Sequence, residues 1–163
     1  MVNINVKETT KSDLENIMML WNDGEVMFFV GFPNGLGITI EKLRKWLIHI
    51  ESNKPLINHY SIYLNGIYCG ESFYCIDMEN ENCALDIKLL PDARGKGIAN
   101  YALNYTIDEA FKHGAKRVYV DPNLLNAKAI ALYKRLGFVE KDYPKYLQNE
   151  YSSQSIYMEK ICN

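Results

Sequence analysis

The chain of 163 residues is close to the usual length of one domain, so we expect a single domain over residues 1–163. Its 48% apolar and 23% charged residues exclude a disordered or fibrous chain, and a net charge of −2 argues against nucleic-acid or anionic-membrane partners. No apolar run approaches the roughly 20 residues of a membrane span, and residues 1–11 lack a secretory signal, so we expect a cytoplasmic protein.

The first third of the chain predicts one strand, two helices and an apolar loop between the helices. Residues 2–6 alternate apolar and polar side chains, as a half-exposed strand does. A capping box at Ser12 and Glu15 predicts the start of an amphipathic helix. Residues 24–38 hold three phenylalanines, Phe28, Phe29 and Phe32, which either form an apolar wall or, as we expect, belong to the core. Thr39 then caps the second helix.

The middle of the chain predicts an antiparallel meander. Residues 57–64 and 67–77 have the period of strands, and Asn65-Gly66 between them is a strong hairpin signal. A polar turn at 79–82 leads to a further strand at 83–90. We therefore expect three neighbouring antiparallel strands.

The last third alternates strand and helix. A long helix follows residue 97 and ends at Gly114, a short strand covers 117–121, and Asn126 caps a helix that ends at Gly137. Strands at 139 and 155–160 close the sheet. This order predicts an α+β (mixed α/β) fold, with helices on both sides of a mixed sheet.

The cysteines and histidines predict no metal site. The cysteines form no CxxC pair, and the histidines are scattered without a second ligand at helical spacing. These residues are Cys69, Cys75, Cys83 and Cys162, and His49, His59 and His113. We expect the cysteines to be reduced, small apolar side chains.

The glycine-rich turn at 94–97 has the features of an anion-binding site. It joins a predicted strand to a predicted helix, so successive backbone N–H groups and the helix dipole would point at an anion. Gly95 and Gly97 would let a phosphate approach the backbone, and Arg94 and Lys96 add positive charge. The alternative is a plain tight turn. A Walker loop is absent, and Asn100 replaces the third glycine of a dinucleotide fingerprint.

A second segment places a tyrosine on the same helix face as its cap. Tyr133 follows Asn126 by two helical turns, so both side chains can face one side. The alternative is that Tyr133 simply packs in the core.

Together these segments resemble the GNAT superfamily of acetyl-CoA-dependent N-acetyltransferases. The signature R/Q-x-x-G-x-G/A matches Arg94, Gly97 and Ala99, and the later stretch N-x-x-A-x-x-x-Y-x-x-x-G-F is similar to residues 126–138. The order of elements fits from residue 2 to residue 160. The stretch W-N-D-x-E-V at 21–26 also resembles the ribosomal-protein and small-amine branch.

The resemblance implies a cofactor site and a detailed fold. The sheet would have six to seven mostly antiparallel strands, about four flanking helices, and a splay between strands 4 and 5. Acetyl-CoA would be the co-substrate, without a metal. Its pyrophosphate would lie on the turn and its pantetheine arm along the preceding strand. The implied cofactor-binding residues are Ile87, Lys88, Leu89, Arg94, Gly95, Lys96, Gly97, Ile98, Ala99, Asn100, Asn126 and Tyr133.

The resemblance also implies acetyl transfer to a primary amine, on a small molecule or a protein or peptide N-terminus, by direct attack in a ternary complex. Tyr133 would hydrogen-bond the thioester sulfur and can protonate the leaving thiolate. Several relatives carry a glutamate on the fourth strand where Cys83 stands here, and others carry an acid at the end of the fifth strand, the position of Asp121. We favour Asp121 as the base, with Glu71 or a water chain as alternatives.

Two questions stay open on the residues alone. A non-catalytic acyl-CoA-binding or sensor module on the same fold is the main alternative, and an unrelated nucleotide-binding protein is another. The acceptor, which we expect between residues 24–38 and 143–151, is not specified by the motifs. Asp23, Glu25 and Glu71 would suit a cationic amine. The oligomeric state is open, with a homodimer as one option.

Overall fold

The computed structural model describes residues 1–150 and 153–163, which form a seven-stranded sheet flanked by helices. The strands are β1 (Ile4–Glu8), β2 (Ile57–Leu64), β3 (Ile67–Asp77), β4 (Asn82–Leu89), β5 (Arg117–Val120), β6 (Val139–Lys141) and β7 (Tyr157–Ile161). The α-helices are α1 (Leu14–Trp21), α2 (Gly24–Met27), α3 (Ile40–Ser52), α4 (Ile98–Lys112) and α5 (Ala127–Arg135). Short 3-10 helices lie at Lys11–Asp13, Phe28–Val30, Pro91–Ala93 and Lys145–Glu150.

The sheet confirms the predicted mixed, mostly antiparallel architecture. Its strand order is β1-β2-β3-β4-β5-β7-β6, and β4 and β5 are the parallel pair among the described strands. These two strands are paired at Ala84 and Tyr119, and β4 then continues to Leu89. A cavity lies between the ends of the two strands, which is the predicted splay.

Apolar packing covers both faces of this sheet. On one face α4 and α5 pack on the central strands, with Leu103, Val118 and Tyr133 in one cluster. On the other face α1 and α3 pack together through Ile17 and Leu43. Burial of these apolar stripes is the main favourable term that holds helices to the sheet. No helix in the described part of the chain is long and apolar enough to span a bilayer.

The capping box lies two residues earlier than predicted. Thr10, rather than Ser12, is the N-cap residue of the 3-10 helix Lys11–Asp13 that leads into α1, and its N–H donates to the Asp13 carboxylate at 2.8 Å. Asp13 is buried, and it also accepts a hydrogen bond from the Tyr63 hydroxyl of β2. This tertiary contact fixes Asp13 at the third helical position, so the box forms around it. The first strand likewise lies at Ile4–Glu8 instead of 2–6.

The expectation that the three phenylalanines of the apolar loop belong to the core is also wrong. Phe28, Phe29 and Phe32 are 56%, 38% and 44% exposed. The loop is tied at its base, where the Asn22 side chain accepts from the Ile38 N–H at 2.7 Å and donates to the Ile38 carbonyl at 3.0 Å. The tie closes the loop, so its phenylalanines extend outward as a wall. The loop also contains α2, which the pattern had not predicted.

Candidate functional site

The glycine-rich turn lies at the N-terminus of α4 and presents open space above its backbone. Gly95 and Gly97 adopt left-handed conformations, with φ of 74° and 78°. A Cβ built on either glycine would meet nothing within 4 Å. The first N–H groups of a helix have no acceptor inside the helix, so those of residues 98–100 are available to a ligand.

A cavity of about 610 Å³ opens between the ends of β4 and β5 and the start of α5. It brings together residues that are far apart in the sequence. Predicted site residues in its lining are Ile87, Lys88, Leu89, Arg94, Asp121, Asn126 and Tyr133. The other predicted cofactor residues, 95–100, lie in the turn that directly follows Arg94. The open glycine turn and the cavity are therefore adjacent.

Tyr133 lies on α5 with its ring buried and its side chain lining the cavity. Its residue is 7% exposed, and the ring contacts Phe138 at a centroid distance of 5.6 Å. The helix begins at Asn126, whose Oδ1 accepts from the Ala129 N–H at 3.2 Å. Burial raises the pKa of the Tyr133 phenol, and the carboxylates of Asp86 and Asp121 raise it further. The phenol is therefore protonated at neutral pH and is a hydrogen-bond donor.

Asp86 is a cavity residue that the motifs did not indicate. It lies on β4 between Leu85 and Ile87, which pack toward the core, and its own side chain is 44% exposed. Its carboxylate contacts the Lys88 ammonium on the same strand. Strand alternation places residues 86 and 88 on one face. A carboxylate two residues from a lysine, near the end of the strand before the signature turn, is the signal that could have revealed it.

Glu71 lies behind Lys88 in a buried polar network. Its carboxylate accepts from Trp21 Nε1 and from His59 Nε2, both at 2.8 Å, and lies 3.6 Å from Lys88 Nζ. Burial raises the pKa of Glu71, but His59 and Lys88 outweigh burial and the net pKa is lowered. The His59 Nδ1 in turn bonds the Thr9 hydroxyl at 2.7 Å. Glu71 is 3% exposed and is not among the described residues that line the cavity.

The segment 143–151, which we expect beside the acceptor, contributes Tyr143 and Gln148 to a recess that also contains Tyr157. Tyr143 bonds Ser155 at 2.8 Å. Tyr151 lies outside the described residues. Among residues 1–150 and 153–163, no group of three or more histidine, cysteine, aspartate or glutamate side chains is placed to hold a metal ion.

Known proteins are similar in sequence to part of this chain. YjgM of Escherichia coli K12, an uncharacterized N-acetyltransferase, is 38% identical over 66 residues, which are 40% of this chain and 40% of that protein. The ribosomal protein bS18 alanine N-acetyltransferase of the same organism is 36% identical over 61 residues, which are 37% of this chain and 41% of that enzyme. The match thus spans about two fifths of these curated relatives.

Solved structures share the whole fold. The ribosomal-protein-alanine N-acetyltransferase of Brucella melitensis superimposes with a TM-score of 0.79 at 22% identity, over 97% of this chain and 99% of that one. YncA of Salmonella typhimurium, solved with its cofactor acetyl-CoA, superimposes with a TM-score of 0.78 at 18% identity, over 98% and 94% of the two chains.

The family model of the acetyltransferase (GNAT) family matches residues 41–138, which run from the start of α3 to the end of the second motif. This range includes β4, the glycine turn and Tyr133. The motif resemblance, the fold and the family match agree, and the chain belongs to the acetyltransferase (GNAT) family.

Proposed function

We propose that this chain transfers the acetyl group of acetyl-CoA to a primary amine by direct attack in a ternary complex. One observation carries the proposal. The phenol of Tyr133 and the carboxylates of Asp86 and Asp121 line one cavity, and that cavity adjoins a glycine turn able to bind a pyrophosphate. A binding module alone would not need a phenol beside two carboxylates.

The cofactor would lie across the turn and the splay. Backbone N–H groups of residues 95–100 would donate to the pyrophosphate, helped by the dipole of α4. The pantetheine arm would follow the backbone of residues 87–89, where β4 has left β5, and would meet Asn126 at the start of α5. This path ends near Tyr133, which lines the same cavity. Acetyl-CoA bound to YncA, on the same fold, supports acetyl-CoA as co-substrate.

The reaction needs a neutral amine and a leaving thiolate. The amine nitrogen attacks the thioester carbonyl carbon, a carbon–nitrogen bond forms, and the carbon–sulfur bond then breaks. A backbone N–H at the end of β4 would stabilise the oxyanion of the intermediate. Tyr133 would donate a hydrogen bond to the sulfur as negative charge develops there.

The base would be a carboxylate that lines the cavity. Asp121 directly follows β5, and both Asp121 and Asp86 line the cavity. Glu71 is instead held by Trp21, His59 and Lys88. The lowered pKa of Glu71 makes it a weak proton acceptor. We therefore retain Asp121 as the proposed base and place Asp86 ahead of Glu71 as the alternative.

The cysteines bear on the cellular compartment in which the protein works. All four, Cys69, Cys75, Cys83 and Cys162, are free thiols. Free thiols are typical of a reducing compartment, which supports a cytoplasmic protein.

The test is a measurement of thiol release from acetyl-CoA with a panel of amines: a polyamine, an aminoglycoside, an amino acid and a short peptide. We expect amine-dependent release with at least one class and acetylated amine in matching amount by mass spectrometry. Tight acetyl-CoA binding in calorimetry without turnover on any amine would favour the alternative, a non-catalytic acyl-CoA sensor.

A further inference from the structure

Exposed apolar side chains of α2 and the following 3-10 helix line the candidate active-site cavity. Phe29 and Val30 are 38% and 49% exposed, and both line the cavity together with Val26. Burial of apolar side chains is the main driving force of folding, so a cluster left exposed at a cavity marks a binding surface. Glu25 of α2 lies 3.5 Å from Arg94, which places this helix beside the start of the glycine turn.

A carboxylate is accessible on the β4 side of the cavity. Glu71, Lys88 and Asp86 form a row in which the Lys88 ammonium contacts both carboxylates. Burial lowers the pKa of Lys88, but Asp86 and Glu71 outweigh burial and raise it, so the lysine is charged. Glu71 is buried and also contacts His59, whereas the Asp86 side chain is 44% exposed and lines the cavity. Asp86 is therefore the carboxylate of this row that a cation in the cavity can reach.

The other charged groups that line the cavity are two acidic and two basic residues. They are Glu25, Asp121, Arg94 and Lys128. Glu25 and Arg94 form an ion pair with each other. The cavity therefore combines an apolar wall with an accessible carboxylate, Asp86, on its β4 side.

We propose that the acceptor is a primary amine with an apolar body, whose ammonium binds Asp86 and whose body packs on Val26, Phe29 and Val30. The inference rests on the proposed acetyl transfer, and it names the acceptor class for that site. Glu71 acts as a positioning residue, because it holds Lys88, which holds Asp86.

This chemistry disfavours other amines. A free amino acid would bring its own carboxylate close to the carboxylate of Asp86, which its ammonium would bind. A polyamine would place a second ammonium against the apolar wall, where desolvation of a charge is costly. The favoured chemistry is shared by a free arylalkylamine and by a peptide N-terminus with apolar first residues, and the experiment separates these two sources.

The experiment measures kcat/KM at saturating acetyl-CoA for 2-phenylethylamine, ethylamine, spermidine, glycine and the peptide Phe-Leu-Ala-Gly. Calorimetry of each amine with the coenzyme A complex supplies a readout that does not need turnover. We expect 2-phenylethylamine or the peptide to exceed ethylamine at least tenfold in kcat/KM. Whichever of the two is preferred shows whether the acceptor is a free arylalkylamine or a peptide N-terminus.

Two variants and their matched controls assign the effect. Phe29→Ala should reduce the preference over ethylamine to within threefold, and Phe32→Ala, in the same loop but outside the cavity lining, should leave it. Asp86→Asn should weaken amine binding at least tenfold and acetyl-CoA binding less than threefold, and the exposed Asp108→Asn on α4 should change neither. Glu71→Gln should raise KM for the amine more than it lowers kcat.

Three outcomes overturn the inference. Spermidine or glycine could be preferred in both turnover and calorimetry. Ethylamine could equal 2-phenylethylamine and the peptide. Phe29→Ala could weaken acetyl-CoA instead of the amine, which would assign the wall to the cofactor. If no amine turns over, the proposed function fails. The acceptor site would still be supported if an apolar amine bound tenfold more tightly than ethylamine in calorimetry and this preference were lost in Asp86→Asn.

Discussion

At the scale of single residues, the role that we propose for Tyr133 is to donate a hydrogen bond to the thioester sulfur rather than to give up its proton. A free phenol has a pKa about 1.5 units above that of a free thiol, so transfer to a thiolate is already uphill. Burial and the two nearby carboxylates raise the phenol pKa further. A hydrogen bond that strengthens as charge builds on sulfur avoids this cost and still favours departure of the thiolate.

Removal of the Tyr133 hydroxyl tests that role. Tyr133→Phe keeps the ring that packs against Phe138, so folding should be retained. We expect kcat to fall at least tenfold while the Kd for acetyl-CoA changes less than about threefold, or roughly 0.65 kcal/mol. Tyr101→Phe, at an exposed position on α4, is the control. Wild-type turnover in Tyr133→Phe would show that the residue is part of the core alone.

The base is tested by the pH dependence of the rate. If Asp121 accepts the amine proton, the rate falls at low pH as this carboxylate becomes protonated. Asp121→Asn should then lower kcat and remove the acidic limb of the pH–rate profile, without change in acetyl-CoA affinity. Retention of both the rate and the limb would move the role to Asp86, and Asp86→Asn would be examined in the same way.

The glycine turn is tested by one methyl group. Gly97→Ala fills the open space above the turn, so acetyl-CoA should bind at least tenfold more weakly, about 1.4 kcal/mol. Alanine at positive φ also costs about 1–2 kcal/mol of stability. Gly114→Ala is the matched control, since Gly114 has a φ of 106° and open space at the other end of α4. Equal affinities of the two variants for acetyl-CoA in calorimetry would show that the pyrophosphate does not bind at this turn.

At the scale of elements, the end of β4 is positioned by a close approach to β3. A Cβ on Gly70 would lie 2.1 Å from the Lys88 carbonyl oxygen and 2.9 Å from the Leu89 Cα. These are backbone atoms of the segment that would bind the pantetheine arm. Gly70 therefore lets β3 pack closely against the end of β4. This contact supports β4 on its β3 side, while the cavity lies on its β5 side.

This positioning predicts a coupled loss of stability and affinity. Gly70→Ala must push β4 away from β3, so we expect a lower midpoint of thermal unfolding and weaker acetyl-CoA binding together. Gly66→Ala is the control. Gly66 lies in the hairpin turn at positive φ with open space around it, so alanine there adds backbone strain without a clash and should leave the affinity for acetyl-CoA unchanged. A Gly70→Ala variant with unchanged calorimetric affinity would show that the end of β4 does not bind the cofactor.

At the scale of the whole molecule, the Glu71 network joins the helical layer to the sheet. It links Trp21 of α1, His59 of β2, Glu71 of β3 and Lys88 of β4. Removal of one partner from a buried charge pair leaves the other charge uncompensated and typically costs 3–5 kcal/mol. We expect Glu71→Gln to lower the free energy of unfolding by about 3 kcal/mol at pH 7.

The sign of the pH dependence follows from the lowered pKa of Glu71 in the fold. A carboxyl with a lowered folded-state pKa stabilises the protein above its ordinary pKa of 4.5, and this contribution is lost as the pH falls below that value. The difference between wild type and Glu71→Gln in urea unfolding should therefore shrink as the pH falls below 4.5. Glu79→Gln, an exposed carboxylate, is the control. A difference that persists unchanged in acid would contradict the charged network.

The sequence by itself determined the elements whose signals are local. The hairpin at Asn65-Gly66, the caps at Thr39 and Asn126 and the glycine turn before α4 all form as predicted, because each depends on the conformational preferences of a few adjacent residues. The two motifs also identified the family. Both are short patterns with fixed spacing, so they need no knowledge of distant contacts.

Only the tertiary structure decided which distant side chains share the site. Asp86, Phe29 and Tyr133 belong to β4, a loop and α5, and they meet because β4 and β5 diverge after Ala84 and Tyr119. The burial of Asp13 and Glu71 and the exposure of Phe28 and Phe32 were equally hidden. For Asp13 and Glu71, residue type indicated exposure, and contacts between elements remote in the chain prevailed because they supply the charge partners and hydrogen bonds that local sequence lacks.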